Sequence, residues 1–327
     1  MRLAIIGSSG HYPVVLEGLS EQEEMTICAI APGCREEDIT PLAEACAENG
    51  HAPAVWEDWK EMLSAEQPSL AVINSWFGKT ADMVCWCLYH GIPVYAEKPL
   101  AASPEELVQV RRAWEETACP LGVMLTLRYE PWFLTMQKAV EAGQIGDVRL
   151  IHAQKSYKLG RRPEFFQRRK DFTGLIPWVG IHAVDWAVSF GGKCVQAMGW
   201  HTTMHNRGMH DMEMTAVAML RFTDDAFATI SVDYLRPDGA ARHDDDRLRL
   251  TGTLGTIEAV DGQVYLEDRT GPRRALPLLE GQNPFAAFLH LLQKGEAAGL
   301  TQAGIEATRL ARALRGEGVP GTQTGVC

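Results

Sequence analysis

A lysine set between a glutamate and a proline, Glu97-Lys98-Pro99, directly follows the apolar run Pro93–Ala96. If that run is a strand of a parallel sheet, its carboxyl end is where such sheets present ligands. A lysine there can hydrogen-bond a substrate hydroxyl and stabilise developing alkoxide charge. Pro99 would fix the chain direction just beyond it. A surface Glu–Lys pair accounts for the same residues, so they decide nothing alone.

A second candidate is Gly7-Ser8-Ser9-Gly10-His11-Tyr12, which follows Leu3–Ile6. A glycine turn between a strand and a helix start can hold a pyrophosphate. The helix N–H groups and dipole favour an anion there, and glycine lets the backbone come close. The dinucleotide fingerprint asks for glycine at 7, 9 and 12, whereas this chain has Gly7, Ser9 and Tyr12. The hydroxyls of Ser8 and Ser9 could donate to phosphate oxygens instead. A plain strand–helix turn would look the same.

Such a site also expects an acid about 20 residues on, at the end of the second strand, to accept the adenosine ribose hydroxyl. Here that strand ends Ile30-Ala31-Pro32-Gly33. Losing the carboxylate removes a ribose hydrogen bond and also the repulsion against a 2′-phosphate, which Arg35 is close enough in sequence to meet. Glu36, Glu37 and Asp38 equally suggest a solvated loop. The choice between NAD and NADP stays open.

Other polar groupings are less specific. His201, His205, His210 and Glu213 lack the spacing of a metal site, and no metal is expected. His243-Asp244-Asp245-Asp246 reads as a solvated turn or a loop approaching substrate. Arg161-Arg162 through Arg168-Arg169-Lys170 is the one basic stretch. It would either line a substrate mouth and favour a sugar acid, or form a solvated or subunit-contacting loop. Lys155 and Tyr157 end a strand and are pocket candidates, while Trp132 and Trp186 read as core.

The elements that must position these residues alternate strand and helix through the first 125 residues, the rhythm of a parallel α/β sheet. Strands are expected at Leu3–Ile6, Thr26–Ile30, Leu70–Ile73, Pro93–Ala96 and Leu121–Leu127, with helices between them. Beyond residue 128 a helix, Pro131–Ala142, gives way to strand-like runs: Val148–Tyr157, Val195–Thr203, Thr215–Phe222, Phe227–Val232 and Arg247–Thr251. Helices near Gly180–Ser189, Pro284–Leu292 and Gly304–Leu314 complete the reading. The expected fold is α/β, with a Rossmann domain over 1–125. An α+β domain with an open, mostly antiparallel sheet would occupy 126–327. At about 150 residues per domain, the 327-residue length agrees.

The formal net charge of −11 makes nucleic acid a poor partner. No run approaches the roughly 18 apolar residues that would span a bilayer, so no membrane partner is expected. The eight cysteines, at 28, 34, 46, 85, 87, 119, 194 and 327, read as reduced thiols of a cytoplasmic protein.

Taken together, the motifs resemble the glucose–fructose oxidoreductase and inositol dehydrogenase family, written Gfo/Idh/MocA. The match runs in order through Ile5-Ile6-Gly7, Gly91-Ile92-Pro93-Val94, Glu97-Lys98-Pro99 and Arg128-Tyr129-Glu130-Pro131. It continues through Gly143-Gln144-Ile145-Gly146-Asp147, Gly180-Ile181-His182-Ala183-Val184-Asp185 and Ala307-Thr308-Arg309. The resemblance implies an NAD- or NADP-dependent oxidoreductase for a sugar, cyclitol or sugar acid. It also implies a homo-oligomer, dimer or tetramer, joined through the open sheet.

In this reading Lys98 would polarise the reacting oxygen and His182 would be the general acid/base. Glu97 would lie near the nicotinamide ribose, Asp185 would help place the helix bearing His182, and Lys98–Pro99 would be cis. Gly7, Ser8, Ser9, Gly10, His11, Tyr12, Ala31, Arg35, Asn74, Ser75, Trp76, Glu97 and Lys98 become cofactor candidates. Arg128, Tyr157, Trp178, His182 and Asp185 become substrate candidates.

The departures have consequences. Trp178 stands where the family commonly has an aspartate, and four residues before His182 on a helix it should share that face. Ser75-Trp76-Phe77 replaces the usual Thr-Pro segment. Two rival readings therefore stand beside a turnover dehydrogenase. One is a tightly held NAD used for redox-assisted elimination or glycosidic cleavage. The other is a non-catalytic sugar or nucleotide sensor.

Overall fold

The computed structural model describes residues 1–20 and 24–315; Cys327 and the end of the expected 126–327 domain lie outside the described residues. The chain forms two compact units. One comprises 1–125, 170–173 and 283–308, and the other holds the remainder.

The first unit alternates β1 (Arg2–Ile6), α1 (Tyr12–Leu19), β2 (Thr26–Ala31), α2 (Thr40–Glu48), β3 (Ala54–Val55) and α3 (Trp59–Glu66). It goes on through β4 (Leu70–Ile73), α4 (Thr80–Tyr89), β5 (Val94–Ala96), α5 (Pro104–Thr117) and β6 (Leu121–Val123). The strands form one parallel sheet in the order β3-β2-β1-β4-β5-β6. Leu3–Ile6 and Leu70–Ile73 are fully buried, which is why they read as unbroken apolar runs: helices cover both faces of such a sheet.

The order reverses between β1 and β4, which opens a crevice at their carboxyl ends. Three backbone bonds tie the carboxyl ends of β1, β2 and β4 together. Gly7 N–H donates to Ala31 O (2.8 Å), Asn74 N–H to Ile6 O (2.7 Å) and Ser9 N–H to Asn74 O (2.9 Å). Gly7 takes φ +83°, and a side chain there would strike the Ser75 backbone, so the turn needs glycine.

The second unit opens with the turn Thr126–Tyr129 and α6 (Pro131–Glu141), followed by β7 (Val148–Lys158). A single helical turn, α7 (Arg169–Phe172), spans the change from one unit to the other. A π-helical turn, Ile176–Gly180, then runs into α8 (Ile181–Gly191). Next come β8 (Cys194–Thr202), β9 (Thr215–Phe222), β10 (Phe227–Arg236) and β11 (Asp244–Gly252). The sheet closes with β12 (Gly255–Val260), β13 (Gln263–Asp268) and β14 (Gly271–Ala275).

The eight strands lie in the order β14-β13-β12-β11-β7-β10-β9-β8, antiparallel except for the pair β7/β10. The last three strands extend a sheet that sequence periodicity ends at residue 251. Burial along β9 and β10 alternates, with Ala216, Ala218, Leu220, Ala228, Ile230 and Val232 turned inward. The opposite face exposes Leu150, Trp200, Val217, Met219 and Phe227 on four adjacent strands.

Two helices end the described chain, α9 (Pro284–Lys294) and α10 (Ala298–Leu314). Residues 283–308 group with the first unit, although the local rhythm assigns all of 126–327 to the second. The cause is packing. Phe285 and Phe288 lie against Tyr95 with ring centroids 5.4 and 4.9 Å away, and Asn283 donates to Val14 O.

Candidate active site

Glu97 continues from β5, its N–H bonded to Ile73 O of β4 (2.8 Å), and its side chain is fully buried. One carboxylate oxygen accepts the His11 N–H (2.8 Å) and meets His11 Nδ1 (2.6 Å). The other accepts the Lys98 N–H (2.9 Å) and stands 4.0 Å from Lys98 Nζ. Burial alone would raise this carboxyl, but His11 and Lys98 more than offset that and hold it below its ordinary value. Lys98 is 2% exposed, so a solvated surface pair is excluded. The Lys98–Pro99 bond is cis.

The glycine turn is thus tied to the end of β5 through His11. A side chain at Gly10 would strike the Glu97 carboxylate and come within 2.9 Å of Asn74 Oδ1. Asn74 is completely buried, and among the described residues neither its Oδ1 nor its Nδ2 has a hydrogen-bond partner. A buried amide without partners is costly, and such a group calls for a ligand or water. Tyr12 begins α1, Ala31 supplies the carbonyl that holds Gly7, Trp76 is half-buried and Arg35 is exposed.

The sequence reading missed Glu37. Its neighbours Glu36 and Asp38 are exposed, as a solvated loop would be, but Glu37 is buried. Its carboxylate accepts from Ser8 N–H (3.1 Å) and Ser9 Oγ (2.6 Å) on one oxygen. The other oxygen accepts from Gly33 N–H (3.0 Å) and Ser75 Oγ (2.7 Å). The acid missing from the end of β2 is therefore present in space, delivered from six residues further along. The hydroxyls of Ser9 in the turn and Ser75 at the end of β4 were the available signal, because hydroxyls gathered there need an acceptor; the Ser8 hydroxyl donates to Asp38 O instead.

In the second unit, α8 carries His182 and Asp185, both buried and one turn apart on the same face. Arg128 grips Asp185 with two parallel bonds, Nε to Oδ2 at 3.1 Å and Nη2 to Oδ1. That fork fastens α8 to the turn before α6. Burial pushes the Asp185 carboxyl up, with Arg128 pulling against it.

Trp178 sits in the π turn that runs directly into α8, four residues before His182. It is buried with its ring edge against Phe166, centroids 5.9 Å apart.

Below α8, Lys155 is fully buried and bonds Asp246 Oδ2 at 2.5 Å, directly opposite it on β11. Burial lowers this lysine, with Asp246 pulling against it. Tyr157 lies 4.8 Å from the Lys155 ammonium, and burial raises its hydroxyl well above the ordinary value. The acidic run 244–246 therefore opens a strand and is not a solvated turn.

The basic stretch is largely committed within this unit. Arg168 pairs with Glu164, and Arg162 lies over the Tyr234 ring at 4.5 Å. Arg169, Arg315 and His201 surround the buried Glu213 at 3.1, 3.5 and 3.8 Å. Glu213 thus serves cations of the chain itself, and His205 and His210 are exposed. Among the described residues no group of three His, Cys, Asp or Glu could hold a metal ion.

Comparison with known proteins gives a consistent family signal. Residues 1–125 match an oxidoreductase family described as an NAD-binding Rossmann fold, and residues 133–258 match a GFO/IDH/MocA C-terminal domain. A Thermotoga maritima structure provisionally described as an oxidoreductase is 38% identical, with a TM-score of 0.92 over 98% of each chain. A levoglucosan dehydrogenase solved with NADH and levoglucosan shares the fold at 15% identity, with a TM-score of 0.79 over 97% of each chain. An inositol 2-dehydrogenase of Burkholderia multivorans is 25% identical over 131 residues. The matched stretch covers 38% of this chain and 38% of that relative's length.

Proposed function

The chain belongs to the Gfo/Idh/MocA family of oxidoreductases, and from that premise we propose that it is an NAD(P)-dependent dehydrogenase acting on a carbohydrate-like molecule. The substrate class is a sugar, cyclitol or sugar acid with a hydroxyl or keto group to oxidise or reduce. The observation that carries this reading is the buried Asn74 amide without a partner, placed at the crevice beside Gly10. The glycine turn, the serine hydroxyls and this amide are groups that fit a dinucleotide. Asn74, Ser8, Ser9, Gly10 and Glu97 would hold it, and His11 would keep the turn in register with Glu97.

The bound dinucleotide supplies a hydride acceptor or donor. Lys98 donates an N–H to the reacting oxygen and stabilises the alkoxide charge that develops there as the hydroxyl proton leaves, or as hydride adds in the reverse direction. Glu97 gives Lys98 a fixed counter-charge. His182 takes the hydroxyl proton in oxidation and returns it in reduction. Arg128 and Asp185 hold the helix that carries His182. The carbohydrate class is supported by the relatives, whose named substrates are inositol and levoglucosan.

Replacing His182 with Asn should lower kcat by about 10²–10⁴-fold and flatten the pH profile, with NADH affinity unchanged. A variant with the wild-type pH profile would remove His182 from the proton-transfer role.

We also propose that the protein is a homo-oligomer joined through the open sheet face. Support comes from the exposed Leu150, Trp200, Val217, Met219 and Phe227, since apolar patches of this kind mark contacts between proteins. Introducing Met219→Glu with Phe227→Glu should reduce the sedimenting species to a single chain. A monomeric wild type would refute this. A cytoplasmic location is supported by the free thiols of Cys28, Cys34, Cys46, Cys85, Cys87 and Cys119.

A further inference from the structure

We propose that Glu37 selects NAD(H) and rejects NADP(H). This rests on the reading that the glycine turn binds a nicotinamide dinucleotide. Glu37 is 7% exposed, and its four donors come from the carboxyl ends of β1, β2 and β4. That is the part of a parallel sheet where the adenosine ribose is received.

The four donors fall into two kinds. Ser8 and Gly33 offer backbone N–H groups that cannot turn away, so they fix the carboxylate in place. Ser9 and Ser75 offer hydroxyls, which rotate freely about their C–O bonds. A ribose 2′,3′-diol brings two O–H donors of the same kind. It can replace the serine hydroxyls on the two carboxylate oxygens while the backbone bonds remain, leaving each serine able to bond elsewhere.

A 2′-phosphate reverses both features. It offers acceptors where the carboxylate needs donors, and it adds a charge of roughly −1.5 to −2 beside an existing negative one. None of the four groups bonded to Glu37 is a cation, and Arg35 is exposed. Gly33 belongs to the same device, because a side chain there would collide with the Ser75 side chain. Asn74, next to Ser75, adds an independent sign of a ligand: its buried amide lacks a partner among the described residues.

The test is a fluorescence titration of the full-length protein with NADH and with NADPH, repeated on Glu37→Gln and Glu37→Ser. Wild type should bind NADH at least ten times more tightly than NADPH. Both variants should shrink that ratio at least fivefold, by losing NADH affinity, gaining NADPH affinity or both. A wild type that prefers NADPH, or binds the two equally, overturns the proposal without any variant.

A ratio unchanged in a folded variant overturns it too. So does a parallel gain for both cofactors, which would make Glu37 a plug that either dinucleotide must displace. In each of these cases the dinucleotide reading survives. If folded wild type binds neither, that reading falls and this proposal falls with it.

Discussion

Replacing Lys98 with Met should reduce hydride transfer by about 10³-fold while the protein remains folded. The size follows from removing a buried donor aimed at developing charge, the kind of loss that costs two to three orders of magnitude. Methionine keeps most of the aliphatic length, so the packing of a residue only 2% exposed is largely preserved. What changes is charge. Glu97 loses the ammonium 4.0 Å away but retains both bonds from His11.

The variant should therefore hold NADH and show its normal far-ultraviolet dichroism, with kcat lost and the cofactor dissociation constant nearly unchanged. Single-turnover absorbance of the reduced nicotinamide separates the two. Full turnover in Lys98→Met would remove this lysine from the chemistry altogether.

Breaking the fork between Arg128 and Asp185 should have the largest effect on stability. Asp185 is 3% exposed, and Arg128 Nε is bonded to it at 3.1 Å. Arg128→Met leaves a buried carboxylate without its counter-ion, a loss of about 3–5 kcal/mol. In a chain of this size that corresponds to a fall in Tm of about 4–7 °C.

The sign of the pH dependence distinguishes this from simple loss of packing. Burial already pushes the Asp185 carboxyl up while Arg128 restrains it, so removing Arg128 raises it further. A group raised in the folded state above its unfolded value is satisfied by protonation. The deficit of the variant should therefore be greatest at neutral pH and shrink as the pH falls towards the carboxylate range. Thermal melts across that range, compared with wild type, read it directly. A deficit independent of pH would mean that packing, not the unpaired charge, carries the cost.

The parts legible in the sequence were those fixed by local chemistry. Leu3–Ile6 and Leu70–Ile73 are continuous apolar runs because both faces of a parallel sheet are covered, so a parallel sheet in the first unit could be expected, whereas the short exposed β3 could not. Gly7 declares a turn that no other residue makes without strain. Glu97-Lys98-Pro99 declares a polar group at a strand end, although only burial separates it from a surface pair.

What was hidden depends on direction and distance. Glu37 sits in an acidic run that looks solvated, and nothing in its neighbours says that one of three acids turns inward. Phe285 and Phe288 belong to the first unit because they pack on Tyr95, which is distant from them in sequence. The turn at Ile176–Gly180 is wider than an α-helix, a local change that residue spacing does not announce. Asp246 looks like a solvated acid until β11 pairs with β7 and sets it opposite Lys155.

The most direct test of the central claim is a titration of the purified full-length protein with NADH, following quenching of tryptophan fluorescence. It would be paired with nucleotide analysis of the supernatant after denaturation. Saturable micromolar binding, or a nicotinamide dinucleotide carried through purification, is the predicted result. A folded protein that neither binds NADH or NADPH nor releases a nucleotide would contradict it, and would leave the glycine turn and Asn74 to the service of a sensor.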